Sequence, residues 1–146
     1  MSKFVYVSMM FMIGLMFAVV VVVIYWLTYP YNPLVFNDFE FPIINKVIHQ
    51  GDMIYYRSNY CKYMNLPALV TRTFANDILY VTPSTVTNRP MGCNVITIGV
   101  SVPHELPIGS YQIKMRYDFR VNPIRTITIL ENTEEFEVLE ATASAR

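Results

Sequence analysis

The amino-terminal part of the chain contains a long apolar run. Residues 4–27 form 24 consecutive positions without a charged residue, Pro, Asn or Gln. At about 1.5 Å rise per residue, a helix of that length reaches roughly 36 Å, enough to cross a hydrocarbon core of about 30 Å with some tilt. The β-branched residues 19–24 disfavour a helix in water, but in lipid only a segment that satisfies its own backbone is stable. The run therefore predicts a transmembrane helix at 4–28.

A cleaved signal peptide is the alternative interpretation. Signal peptides usually carry an apolar stretch of about 7 to 15 residues followed by a small-residue cleavage site. Residues 28–33, Thr-Tyr-Pro-Tyr-Asn-Pro, contain no such site. The sequence therefore favours an uncleaved anchor.

Aromatic residues cluster where the apolar run ends: Tyr25, Trp26, Tyr29 and Tyr31. Amphipathic rings favour the interface between lipid and water. These four residues are therefore predicted to mark the level at which the chain leaves the membrane.

The charges that flank the run predict its orientation. Lys3 precedes it, whereas Asp38 and Glu40 follow it before any Lys or Arg, which favours an amino end inside. The predicted topology is a single-pass protein of the cytoplasmic (inner) membrane. Residues 1–3 form a cytoplasmic end, residues 29–34 a linker, and the carboxyl-terminal domain lies outside, in the periplasm.

From residue 35 onward the apolar residues recur with a period of two, as in β-strands. The clearest strand is 111–121, where apolar and polar residues alternate, so one face is covered and the other is solvated. Pro, Gly, Asn and Asp separate the predicted strands, which are 39–48, 52–63, 68–74, 78–82, 94–102, 111–121, 125–130 and 136–139. This pattern predicts an all-β domain at 35–139, built as a two-sheet antiparallel sandwich, and a flexible tail at 140–146.

Two segments carry a resemblance to known families. Residues 106–111, Leu-Pro-Ile-Gly-Ser-Tyr, resemble the approach to the penultimate strand of exported immunoglobulin-like modules. The resemblance implies an immunoglobulin-like sandwich in which Tyr111 is the corner tyrosine, with a buried ring and a hydroxyl bonded to nearby backbone. The apolar run and residues 117–125, Tyr-Asp-Phe-Arg-Val-Asn-Pro-Ile-Arg, resemble small uncharacterised membrane proteins of tailed bacteriophages. That resemblance implies a source class and no particular activity.

Cys61 and Cys93 are the two cysteines of the chain. In a domain outside the cytoplasm, such a pair suggests a disulfide. Two buried free thiols are the alternative, because the sequence does not show how far apart the residues lie.

Residues suited to catalysis are sparse. His49 and His104 are isolated and have no metal-ligand spacing. The chain has no Gly-rich phosphate loop, no nucleophile elbow and no basic run. We therefore expect no enzymatic activity, no catalytic, cofactor-binding or metal-binding residues, no cofactor and no nucleic-acid partner.

Two features could support binding. Lys114, Arg116 and Arg120 share one face of strand 111–121, and Arg57 and Arg72 would join them if their strands are neighbours; a solvated face is the alternative. In the helix, Gly14 and Ala18 have a spacing that permits close helix approach and a homo-oligomer, although chance also produces that spacing.

The predicted function is a membrane-anchored, non-catalytic interaction or structural module. It would display an immunoglobulin-like domain outside the cytoplasmic membrane and contact the lipid bilayer and an unidentified protein partner. The alternative is a holin-like lysis or membrane-permeabilising protein, in which oligomerisation of the helix is the active step.

Overall fold

The computed structural model describes residues 2–76 and 78–141, so residues 142–146 of the predicted tail lie outside the described residues. One helix, α1 (Ser2–Thr28), precedes ten strands. The strands are β1 (Leu34–Phe36), β2 (Val47–His49), β3 (Met53–Lys62), β4 (Ala68–Ala75), β5 (Leu79–Val81), β6 (Thr85–Thr87), β7 (Gly92–Ser101), β8 (Gly109–Asn122), β9 (Arg125–Asn132) and β10 (Phe136–Leu139).

Helix α1 is apolar on all sides and does not pack into the core of the domain. Every side chain from Lys3 to Tyr25 is exposed. A helix with this much exposed apolar surface is not stable in water, so it is not the core helix of a soluble protein. By length and composition, Lys3–Thr28 fits a membrane span, and a signal sequence near the amino terminus fits equally well.

The strands form two sheets. The smaller sheet has the order β1-β3-β7 and is antiparallel. The larger sheet has the order β2-β10-β8-β4-β5, with β6 also pairing with β4 and β9 with β8. The predicted two-sheet β domain is therefore confirmed at this level.

The larger sheet is mixed, whereas the sequence predicts antiparallel strands throughout. Strand β2 pairs in parallel with β10. Strand β1 runs antiparallel to β3, and Ile43, four residues before β2, bridges Tyr56 of β3 in the same antiparallel sense, whereas β2 itself lies in the larger sheet. A segment that changes sheets without reversing its direction is antiparallel to β3 in one sheet and parallel to β10 in the other.

The predicted strand at 39–48 is wrong over most of its length. Phe41 forms a β-bridge with Thr133, which lies between β9 and β10 of the larger sheet, whereas Ile43 forms one with Tyr56 of the smaller sheet. Because its partners alternate between sheets, the segment forms a regular strand only at β2. Pro42 adds to the interruption, since it lacks the N–H that a sheet ladder needs.

The inward-facing residues of β3 and β8 supply much of the core. On β8, the apolar residues of the predicted alternation are buried from Tyr111 to Phe119. The ring of Tyr117 packs against that of Phe36, in β1 of the smaller sheet, with centroids 5.1 Å apart. Phe36 in turn packs against Phe41, which lies between β1 and β2, with centroids 5.0 Å apart. The period-two pattern therefore identifies the buried face correctly.

The strand register distinguishes the two ends of the sandwich. At one end, Lys62 of β3 pairs with Leu34 and Gly92, and Ala68 of β4 pairs with Phe119. This end also contains the β8–β9 turn, which contacts the last residues of α1. We call it the helix-proximal end.

Cys61 and Cys93 form a disulfide, so the alternative of two free thiols is wrong. The two residues lie directly opposite each other on β3 and β7. The bond therefore ties two neighbouring strands of the smaller sheet together near the helix-proximal end.

Removal of the disulfide should destabilise the domain. In the double variant Cys61→Ala/Cys93→Ala, loss of the crosslink should lower the free energy of unfolding by about 3 to 4 kcal/mol on the chain-entropy model. Urea unfolding of the full chain in uncharged detergent micelles measures this change. Reduced wild-type protein is the control and should match the variant; an unchanged unfolding midpoint in both would contradict the expectation.

Candidate functional site

The carboxyl end of α1 is bonded to the turn between β8 and β9. The Asn122 side-chain amide donates to the carbonyl of Trp26 at 3.0 Å. The Arg125 guanidinium donates to the carbonyls of Leu27 at 2.9 Å and Tyr29 at 2.8 Å. The last carbonyls of a helix lack intrahelical partners and carry the negative end of its dipole, so an amide and a cation are suitable groups to satisfy them.

The geometry of the turn follows from its sequence. Strand β8 has a register irregularity between Arg120 and Asn122. The Asn122 side-chain oxygen accepts a hydrogen bond from the Ile124 backbone N–H at 3.1 Å, as in an Asx turn. Asn122 therefore closes the turn with its oxygen and binds the helix end with its nitrogen.

Three of the four predicted interface aromatics form a row beside this contact. Ring centroids of Tyr25 and Tyr29 are 5.2 Å apart, and those of Tyr29 and Tyr31 are 4.8 Å apart. The Arg125 guanidinium lies 5.7 Å from the Tyr31 ring centre, within cation–π distance. We call Tyr25, Tyr29, Tyr31, Asn122 and Arg125 the exit site. The fourth aromatic, Trp26, contributes its carbonyl, and the location of these residues at a lipid interface stays a prediction.

The predicted basic surface is only partly brought together. Lys114, Arg116 and Arg120 are exposed at alternate positions of β8. Arg57 lies on β3, in the other sheet. Arg72 pairs with Met115 and therefore shares the inner face of the larger sheet, where its Nε is buried. The exposed basic surface therefore consists of the three β8 residues alone. Arg57 is excluded because it lies in the other sheet, and Arg72 because it faces the inside of the larger sheet.

An open groove of about 530 Å³ lies over Lys114 and Arg116 on the outer face of the larger sheet. Leu79 and Leu130, exposed by 66% and 71%, also line it. Arg116 forms an ion pair with Asp118 at 2.9 Å, whereas Lys114 has no carboxylate partner among the described residues. The groove therefore combines apolar side chains with Lys114 and with one carboxylate, Glu131, that forms no ion pair with it. Around Lys114, such a surface suits an extended segment that carries apolar and acidic residues.

The structure also buries two basic residues outside the predicted basic surface. Arg89, in the connection between β6 and β7, is 8% exposed. Its guanidinium donates to the Ser58 hydroxyl at 3.0 Å and to the Tyr117 hydroxyl at 2.9 Å. The guanidinium carbon lies 4.9 to 5.5 Å from the ring centres of Phe36, Tyr60 and Tyr117. Arg89 thus links the two sheets from inside the core.

The second buried basic residue, Lys62, is 2% exposed. Its amine donates to the Asn88 side-chain oxygen at 2.6 Å and to the Arg89 carbonyl at 2.9 Å. Burial, together with the charge of Arg89, lowers the pKa of Lys62. Strand parity could have found this residue, since Lys62 has the same parity as the buried Tyr56 and Tyr60.

Both histidines lie beside the turn that contains Gly51, at the opposite end of the sandwich. His49 lies 3.5 Å from Asp52. The His104 ring packs directly on Gly51, where a Cβ would lie 2.0 Å from it and φ is +86°. Within residues 2–76 and 78–141, no group of three or more His, Cys, Asp or Glu could hold a metal ion. The expectation of a non-catalytic protein stays a prediction.

Tyr111, the predicted corner tyrosine, lies near the start of β8. Its side chain is buried, with 2% exposed, and its ring centre is 6.4 Å from that of Phe136. The hydrogen bond from its hydroxyl to nearby backbone stays a prediction.

Comparison with protein-family models finds no match for this chain, and comparison with curated proteins finds none. Its function is therefore inferred from the sequence and from the geometry of the structure.

Loss of Arg125 should loosen the exit site. In Arg125→Met, the two carbonyl contacts and the cation–π contact are lost, so cleavage within residues 29–33 by a protease should accelerate several-fold in detergent-solubilised protein. Arg116→Met is the matched control, because it removes an arginine of the same sheet that does not contact α1. Equal cleavage rates in the two variants would argue against a stabilising contact at the helix end.

The pH dependence of stability should report on Lys62. Its pKa is lower in the folded protein than in the unfolded chain, so the unfolded chain binds more protons between the two values. The free energy of unfolding should therefore rise with pH across that window, and Lys62→Met should abolish this contribution. Urea unfolding from neutral pH to about pH 9, about one unit below the ordinary pKa of tyrosine, measures the slope. Lys114→Met should keep the wild-type slope; a Lys62→Met slope equal to it would contradict the assignment.

Proposed function

We propose that the protein is a single-pass, membrane-anchored interaction module without catalytic activity. It holds an immunoglobulin-like domain outside the cytoplasmic membrane, with Lys3 on the cytoplasmic side. The observation that carries the proposal is the exit site, where Asn122 and Arg125 of the folded domain bind two of the last carbonyls of α1 and the carbonyl of Tyr29, just beyond its end. A helix destined for removal has no need of such contacts, so they favour a retained anchor over a cleaved signal peptide.

The strand order supports the immunoglobulin-like part of the proposal. We assign β1-β3-β7 to strands A-B-E and β2-β10-β8-β4-β5 to A′-G-F-C-C′ of such a sandwich; β6, which pairs with β4, and β9, which pairs with β8, lie outside this assignment. The Cys61–Cys93 disulfide differs from that of antibody domains, since it joins neighbouring strands of one sheet instead of crossing between sheets.

The disulfide supports a location outside the cytoplasm, because disulfides persist in oxidising compartments. The periplasm is the compartment proposed here. The proposal includes the source class suggested by residues 117–125, small membrane proteins of tailed bacteriophages.

The proposed partner surface is the groove over Lys114 and Arg116. Its exposed leucines and the unpaired Lys114 favour a partner segment with apolar side chains and at least one carboxylate, placed beside Lys114 and away from Glu131 of the lining. Because α1 confines the domain to the membrane surface, a weak contact with a second membrane-associated protein gains from a high effective concentration.

Protease protection of the full chain tests the topology. With tags at both ends, protease added outside intact spheroplasts should remove the carboxyl-terminal tag and leave the amino-terminal tag in the membrane fraction. Separation of the amino-terminal tag from a soluble domain without added protease would support a cleaved signal peptide. A rapid loss of membrane potential on induced expression would support the permeabilising alternative and contradict a simple anchor.

Site-specific photo-crosslinking tests the groove. A photoreactive residue at Thr73, beside Lys114, should crosslink to a membrane-associated partner, and Lys114→Glu should reduce the yield about tenfold if an ion pair worth about 1.4 kcal/mol becomes a repulsion. The same photoreactive residue at Asn59, on the other sheet, is the matched control. Equal yields from both positions, or no effect of Lys114→Glu, would remove the groove as the partner surface.

A further inference from the structure

The buried basic pair has no carboxylate to balance it. Lys62 and Arg89 are 2% and 8% exposed, and the ion pairs of the described residues include neither. Burial of a charge is costly unless an opposite charge or hydrogen bonds compensate for it. The three rings around Arg89 compensate part of its cost, whereas Lys62 is bonded only to two neutral oxygens.

The pair also retains hydrogen-bond donors. A guanidinium carries five N–H groups and an ammonium three. Arg89 uses two of its groups, on Ser58 and Tyr117, and Lys62 uses two, on Asn88 and the Arg89 carbonyl. Three N–H groups of Arg89 and one of Lys62 therefore have no acceptor among the described residues.

A cavity at the helix-proximal end is lined by both side chains. The centre of a water-sized sphere has about 10 Å³ in which to move there. That space suits one monatomic ion or one water molecule and is too small for a tetrahedral oxyanion or a lipid phosphate. The lining also includes Leu34, Ala68, Thr87 and Phe119.

We propose that this cavity binds a single chloride-sized monovalent anion between Lys62 and Arg89. The anion accepts hydrogen bonds from the free N–H groups and balances one of the two positive charges. A water molecule could accept the same hydrogen bonds but would leave both charges uncompensated. The inference is independent of the proposed function.

The anion would also stabilise one end of the sandwich. Lys62 belongs to β3 of the smaller sheet, and Arg89 belongs to the connection that leaves β6 of the larger sheet. An ion held by both residues joins the two sheets through that connection. The effect on stability should therefore be specific to these two cations, unlike general screening of surface charges.

Chloride-dependent unfolding of the full chain tests the proposal. In uncharged detergent micelles at constant ionic strength, replacement of gluconate by chloride should lower the unfolding equilibrium constant by the factor 1 + [Cl⁻]/Kd, with saturation of the binding site. Bromide should replace chloride, whereas sulfate should not. Equal stability of wild-type protein in chloride and gluconate would overturn the proposal and favour a water molecule.

Two variants separate the site from general salt effects. Lys62→Met keeps an unbranched side chain but removes the charge, so it should lose the chloride dependence; Lys114→Met, on the exposed face, should keep it. Retention of the dependence in Lys62→Met would overturn the proposal. If Lys62→Met does not fold, chlorine NMR of wild-type protein decides: bromide-displaceable line broadening supports the site, and its absence overturns it.

Discussion

The hydrogen bonds between the end of α1 and the β8–β9 turn are the contact on which the arrangement of helix and domain depends. Without them, only the short segment between Thr28 and β1 would connect the two. The turn is well placed for this role because β8 is the longest strand and pairs with β4, β9 and β10. Because β8 lies at the centre of the larger sheet, its pairing with three strands fixes the position of Asn122 and Arg125. The end of the helix is thus bonded to a well-supported part of the domain.

The helix-proximal end concentrates the constraints of the molecule. It contains the exit site, the Cys61–Cys93 disulfide and the buried pair of Lys62 and Arg89. The exit site joins the helix to the turn, and Arg89 joins one sheet to the other, two contacts that strand pairing does not provide. The disulfide adds a covalent bond between the paired strands β3 and β7. The outer face of the larger sheet contributes to none of these contacts and leaves the groove over Lys114 accessible.

The fold could be predicted where a local pattern decides it. Alternation places β8 and its buried face correctly, and the predicted 52–63 strand corresponds to β3 (Met53–Lys62). Strands β1 and β6 have three residues each, too few for a period to be visible. Lys114, Arg116 and Arg120 could be placed on one face because alternation along a single strand decides it. The positions of Arg57 and Arg72 depend on which strands pair, and the sequence does not display that. The cavity beside Arg89 could not be predicted either, because Arg89 lies in an irregular connection whose position in the fold no period reveals.

The sequence by itself determined the presence of an apolar helix that requires lipid or a targeting role, because 24 positions without charge leave no polar face for water. It also determined an alternating β domain with two cysteines. Only the tertiary structure decided which side chains complete the helix end and which cations become buried. Asn122 and Trp26 are 96 positions apart, and Arg89 meets rings from three strands. Such contacts arise from strand register and chain path, and no local pattern encodes them.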